Sequence, residues 1–150
     1  MINLNGMAHI VINVSQWNDC KDFYKKLMPF LGMEQVFDGE DYIYFVGGRT
    51  AVGVSKCSPE YEHDVFEQRK VGLHHFCLRS KSKEDVDTIY EFLVEMKAEV
   101  IEEPRNGEWA PGYYFVLFED PIGTRIEVNY VPGKGVLADG VNFTAGEHYR

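Results

Sequence analysis

Two stretches of this chain, 66 positions apart, follow the same plan, and that internal repeat limits the fold more than any other feature. The offset carries His9 to His75, Tyr24 to Tyr90 and Leu27 to Leu93. In the first copy, residues 7–14 (MAHIVINV) alternate as a strand, with Ala8, Ile10, Ile12 and Val14 on one face and His9, Val11 and Asn13 on the other. Cys20, Phe23, Tyr24, Leu27, Met28 and Leu31 then recur at helical spacing. Ser15 or Asn18 is the expected cap, and Pro29 and Gly32 are expected to end the helix. Three short strands are predicted next, at 34–37, 42–46 and 50–56, followed by a polar, aperiodic connector.

The second copy opens on residues 72–79 (GLHHFCLR), where alternation sets His75 and Cys77 against Phe76 and Leu78 and turns His74 away from His75. Ser82 with Asp85 three residues on predicts a capped helix, striped by Val86, Ile89, Leu93 and Met96. A strand at 98–102, the loop PRNGEWAPG and a β-hairpin at 112–130 complete the copy. In the hairpin, Asp120-Pro121-Ile122-Gly123 is the turn. Its second strand places Ile126, Val128 and Tyr130 on one face and Arg125, Glu127 and Asn129 on the other.

A repeated βαβββ unit predicts an α+β fold: two modules forming a curved mixed sheet around a central cavity, with the helices outside. The expected organisation is one domain over 1–131, with module one at 5–57, the connector at 58–70 and module two at 71–131, followed by a tail at 132–150. Since each helix covers the apolar face of its sheet, His9 and His75 both belong to the opposite, inner face. Glu127 joins them by the same parity. A carboxylate inside a β-branched strand is costly without compensation, and two imidazoles with one carboxylate are a ligand set for a divalent first-row metal. Tyr44, Gly53, Cys77, Trp109, Tyr113 and Phe115 are the expected pocket lining; Glu108 and Arg125 are weaker candidates for acid–base or anion-binding work.

Composition narrows the partners. A net charge of −9 argues against a phosphate backbone, so no nucleic acid is expected. Three cysteines without CxxC spacing indicate neither a disulfide framework nor a zinc ribbon. No apolar run reaches membrane-span length and no signal peptide opens the chain, so a soluble, cytoplasmic protein is the expectation.

The segments MAHIVINV, DFYKKLMPFLGM, LHHFCLR and EDPIGTRIEV together resemble the vicinal oxygen chelate superfamily, which includes glyoxalase I, extradiol dioxygenases, fosfomycin-resistance enzymes and bleomycin-resistance proteins. The resemblance covers roughly residues 5–131. It implies paired βαβββ modules, a divalent metal (Fe, Mn, Zn, Ni or Co) held by His9, His75 and Glu127, a small-molecule substrate and a homodimer. Where glyoxalase I takes a fourth ligand from the last strand of the first module, this chain has Gly53, which cannot ligate. Where extradiol and fosfomycin enzymes commonly carry a tyrosine before the turn motif, it has Leu117. The activities implied are dioxygenase-like or lyase/transferase-like chemistry on a metal-chelated oxygenated substrate. The alternative is a non-catalytic binder of the bleomycin-resistance kind.

Overall fold

The two copies of the repeat fold into two units with the same strand order. In this computed structural model residues 1–143 and 145 are described, and the chain divides into units spanning 1–66 and 67–150. The first unit runs β1 (His9–Val14), α1 (Trp17–Phe30), β2 (Glu34–Asp38), β3 (Tyr42–Gly47) and β4 (Thr50–Lys56). The second runs β5 (Phe76–Arg79), α2 (Lys83–Glu95), β6 (Glu99–Asn106), β7 (Tyr114–Glu119) and β8 (Arg125–Tyr130). Each has its own four-stranded mixed sheet, ordered β1-β4-β3-β2 and β5-β8-β7-β6, with a parallel first pair and antiparallel remainder.

Parity predicted the buried face of each sheet. In β8, Ile126 and Val128 are buried on the side where α2 packs, together with Val116 and Phe118 of β7 and Val86, Ile89 and Leu93 of the helix. In β1, Ile12 and Val14 are buried while His9, Val11 and Asn13 are exposed. The hairpin turn is held by Asp120, whose buried carboxylate Oδ1 accepts from the backbone N–H groups of Ile122 (3.0 Å) and Thr124 (2.8 Å). Gly123 adopts φ 90°, a conformation that side-chain-bearing residues avoid.

Three expectations change. Neither Ser15 nor Asn18 caps α1: the cap position is Gln16, in a left-handed conformation without a side-chain cap. The Ser15 hydroxyl instead donates to the Asp64 carbonyl at 2.5 Å, tying the connector to the sheet. The strand expected at 98–102 extends to Asn106, because β6 passes Pro104 with shifted register against β7 rather than ending there. His74 does not face away from His75. Residues 71–75 lie outside β5, and Gly72 at φ 133° turns the backbone, so strand alternation does not govern the two histidines.

The second helix is capped as expected, its Ser82 Oγ accepting from the Asp85 N–H at 3.1 Å. Ser82→Ala should cost about 1 kcal/mol, read as a lower urea midpoint with an unchanged slope.

Candidate functional site

Within the second unit, β6, β7, β8, the 68–75 segment and the loop after β6 line an open cleft whose empty space of about 370 Å³ includes the solvent at its mouth. Its polar end is built around Glu127. This carboxylate is only 4% exposed, on a strand whose next neighbours across the ladder are Cys77 and Leu117. The Tyr113 hydroxyl donates to its Oε1, and the Asn129 side chain reaches the same hydroxyl. Burial, followed by the adjacent Glu127, pushes the Tyr113 phenol well up, so it stays protonated and remains a donor. The same two causes hold the Cys77 thiol well above its usual range. Cys77 is therefore a neutral thiol beside Glu127 and does not line the cleft.

The second oxygen, Oε2, lies 3.5 Å from His75 Nε2. The tautomer of His75 follows from its neighbours. Burial, then the charges of His75, Arg69 and Arg125, lower the pKa of His74, so His74 is neutral near pH 7. Its Nδ1 is 3.1 Å from the Gln68 amide nitrogen, which only donates, and 2.7 Å from His75 Nδ1. His74 Nδ1 is then the acceptor and His75 Nδ1 carries the proton. His75 Nε2 faces the carboxylate oxygen, and on a neutral His75 it is the unprotonated nitrogen. A proton on Nε2 or a divalent ion between the two would join them. Ligands bound at about 2.1 Å to one ion in near-tetrahedral geometry sit about 3.4 Å apart, so the pair fits a divalent metal.

The rest of the cleft is aromatic. Trp109 packs edge-on against Tyr113 (5.0 Å between centroids) and Phe115 (5.2 Å). Gly107 permits this: a Cβ there would lie 2.6 Å from the Trp109 ring. Arg105 lies over Phe115 at 4.8 Å and pairs with Glu102. Trp109 Nε1 donates to the Ala145 carbonyl at 3.2 Å, so the tail touches this wall at Ala145.

Of the residues singled out from sequence, the cleft brings together His75, Glu127, Trp109, Phe115 and Arg125, with Tyr113 and Cys77 directly behind Glu127. Glu108 is exposed on its loop and is not among the lining residues. His9, Tyr44 and Gly53 belong to the first unit. There His9 is exposed in register with Ala51, Tyr44 stacks on Tyr42 at 5.9 Å, and the Tyr42 hydroxyl overlies Gly53 where a side chain would begin. Among the described residues, no three His, Cys, Asp or Glu side chains gather as a ready metal-binding group. Gln68, Arg105 and Gly107 escaped the sequence reading; of these only Gly107, two residues before Trp109, carried a local signal.

The sequence profile of the Glyoxalase/Bleomycin resistance protein/Dioxygenase superfamily matches residues 6–128. The chain belongs to that superfamily. Solved structures agree on the fold. A glyoxalase candidate from Bacillus halodurans superposes with TM-score 0.73 at 23% identity, covering 85% of this chain and 96% of that one. Lactoylglutathione lyase from Agrobacterium tumefaciens gives 0.62 at 19% identity, covering 85% and 94%. The fosfomycin resistance protein FosX from Listeria monocytogenes gives 0.62 at 17%, covering 86% and 95%. No curated protein matches the sequence. Superfamily members thus include enzymes of different chemistry on one fold, and among the described residues no helix is long and apolar enough to cross a membrane.

Proposed function

We propose that this protein is a metal-dependent enzyme acting on a small oxygenated substrate, with His75 and Glu127 as two metal ligands and His9, from the first unit of the same chain or of a second copy, as the third. The observation that carries the reading is the buried Glu127 carboxylate facing His75 Nε2 at 3.5 Å. A bound divalent ion supplies Lewis acidity towards substrate oxygens, or oxygen activation where the ion is iron(II).

The chain's own residues do the remaining work. Tyr113 holds Glu127 Oε1 and so leaves Oε2 to face the cleft. His74, oriented by Gln68, fixes the proton of His75 on Nδ1. Trp109, Phe115 and Leu117 form apolar walls that exclude water and seat a flat substrate. Dioxygenase-like and lyase/transferase-like reactions both begin from a chelated substrate, and the divergent activities of the similar structures leave both classes in view.

Elemental analysis of the purified protein tests the reading. Near-stoichiometric divalent first-row metal is expected in the parent and not in His75→Ala or His9→Ala. Oxygen uptake with catechols then selects the dioxygenase branch, and thiol addition to an epoxide the transferase branch. A parent that binds no metal, yet binds small aromatic ligands, is a binder instead. Mixing His9→Ala with Glu127→Gln chains locates the third ligand: recovered metal binding in the mixture means that it crosses between copies.

A further inference from the structure

We propose that Arg125 is an anion subsite, and that the ligand of this cleft is a small aromatic or conjugated carboxylic acid. The proposal rests on the cleft being the substrate site, but not on a metal being there.

Arg125 stands two residues before Glu127 on β8, on the same face of the sheet, and lines the same cleft. It is the one Lys or Arg among the described lining residues. Its Nε donates to Glu119 Oε1 at 2.9 Å, across a ladder in which the two residues are register partners. That bond anchors the guanidinium through one of its five N–H groups and leaves the two Nη groups without a hydrogen bond among the described residues. Their end-on fork matches the two oxygens of a carboxylate. The side chain is 28% exposed, so the cation is only partly hydrated.

Two carboxylates stand nearby, Glu127 accepting from Tyr113 and Glu119 from Arg125 Nε, so a ligand carboxylate has to engage the Nη side of the guanidinium. Glu102 is paired with Arg105, and Arg105 is occupied with Glu102, the Asn106 carbonyl and the face of Phe115. The whole chain carries −9, which by itself favours a cationic ligand. Screening over about 8 Å at physiological salt makes a guanidinium in the cleft outweigh distant surface carboxylates. Residues two apart on a strand are about 6.5–7 Å apart, roughly the reach across one aromatic ring from a carboxylate to its opposite substituents. Trp109 and Phe115 supply the surface for that ring.

Titration of metal-stripped protein with benzoate, benzamide and phenylphosphonate, followed by calorimetry and tryptophan fluorescence, tests the assignment. Benzoate should bind about 10- to 100-fold tighter than neutral benzamide. The preference should fall to about twofold or less in Arg125→Gln, recover partly in Arg125→Lys, and persist in Glu119→Gln, which removes the ion pair but keeps the guanidinium. Phenylphosphonate outranking benzoate would overturn the carboxylate assignment. Benzoate binding no better than benzamide, neither binding, or an unchanged preference in Arg125→Gln would overturn the subsite. Metal analysis of Arg125→Gln keeps the two readings apart: it should match the parent, whatever the parent's metal content.

Discussion

Glu127→Gln should yield a folded protein with at least about 100-fold weaker divalent metal binding. Losing a ligand should exceed the 10- to 100-fold that loss of a supporting group costs. Glutamine is the informative choice because its carbonyl can still accept from Tyr113, and its amide keeps a polar group against His75 Nε2. The polar cluster therefore stays satisfied and the fold has no reason to change. Alanine would remove the acceptor as well, leaving the buried Tyr113 hydroxyl without its carboxylate at about 1–3 kcal/mol. Tyr113→Phe separates support from ligation. It frees Oε1 without removing the charge, so metal affinity should drop by about 10- to 100-fold. Equilibrium competition with a chromophoric chelator reads all three. Unchanged affinity in Glu127→Gln would remove Glu127 from the ligand set, and with it the metal proposal in its present form.

How much of this was legible in the sequence depends on whether a residue's place is set by its own strand or by the company it keeps. Glu127 could be placed from alternation alone, since β8 is a regular strand and the residues on either side of it, Ile126 and Val128, fill the core. The succession of elements in each half, a strand, a helix and three strands, followed from the repeat. His74 could not be placed, because Gly72 and the irregular residues after it lie outside any strand and carry no fixed period. Gln68 read as a connector residue; its importance comes from a hydrogen bond to His74 that only the path of the chain creates. Arg105 meets Phe115 because the two are register partners across shifted strands, and that shift has no signature in composition. The cap of α1 went wrong for a related reason. Ser15 had a second, non-local acceptor in the Asp64 carbonyl, and a local propensity cannot register such a competitor.

The largest loss of stability should come from the opposite face of the same hairpin. Phe118 is fully buried on β7, paired in register with fully buried Ile126 and lying on the face covered by α2. Phe118→Ala removes a ring from a close-packed layer that includes Val116, Val128 and Leu93, none of them small enough to swing into the space. A cost of about 3–5 kcal/mol is expected, a large share of the 5–15 kcal/mol that holds a typical domain together. For a chain of this length that corresponds to a fall in Tm of roughly 6–20 °C. Leu117→Ala, one residue earlier, is the matched control. Its side chain lies on the cleft face opposite Glu127 and is only partly buried, so truncation should cost less than about 2 kcal/mol while widening the cleft. Urea unfolding followed by far-UV circular dichroism compares the pair. Equal losses would mean that the two faces of β7 are packed alike, and the division of this sheet into a core side and a ligand side would have to be redrawn.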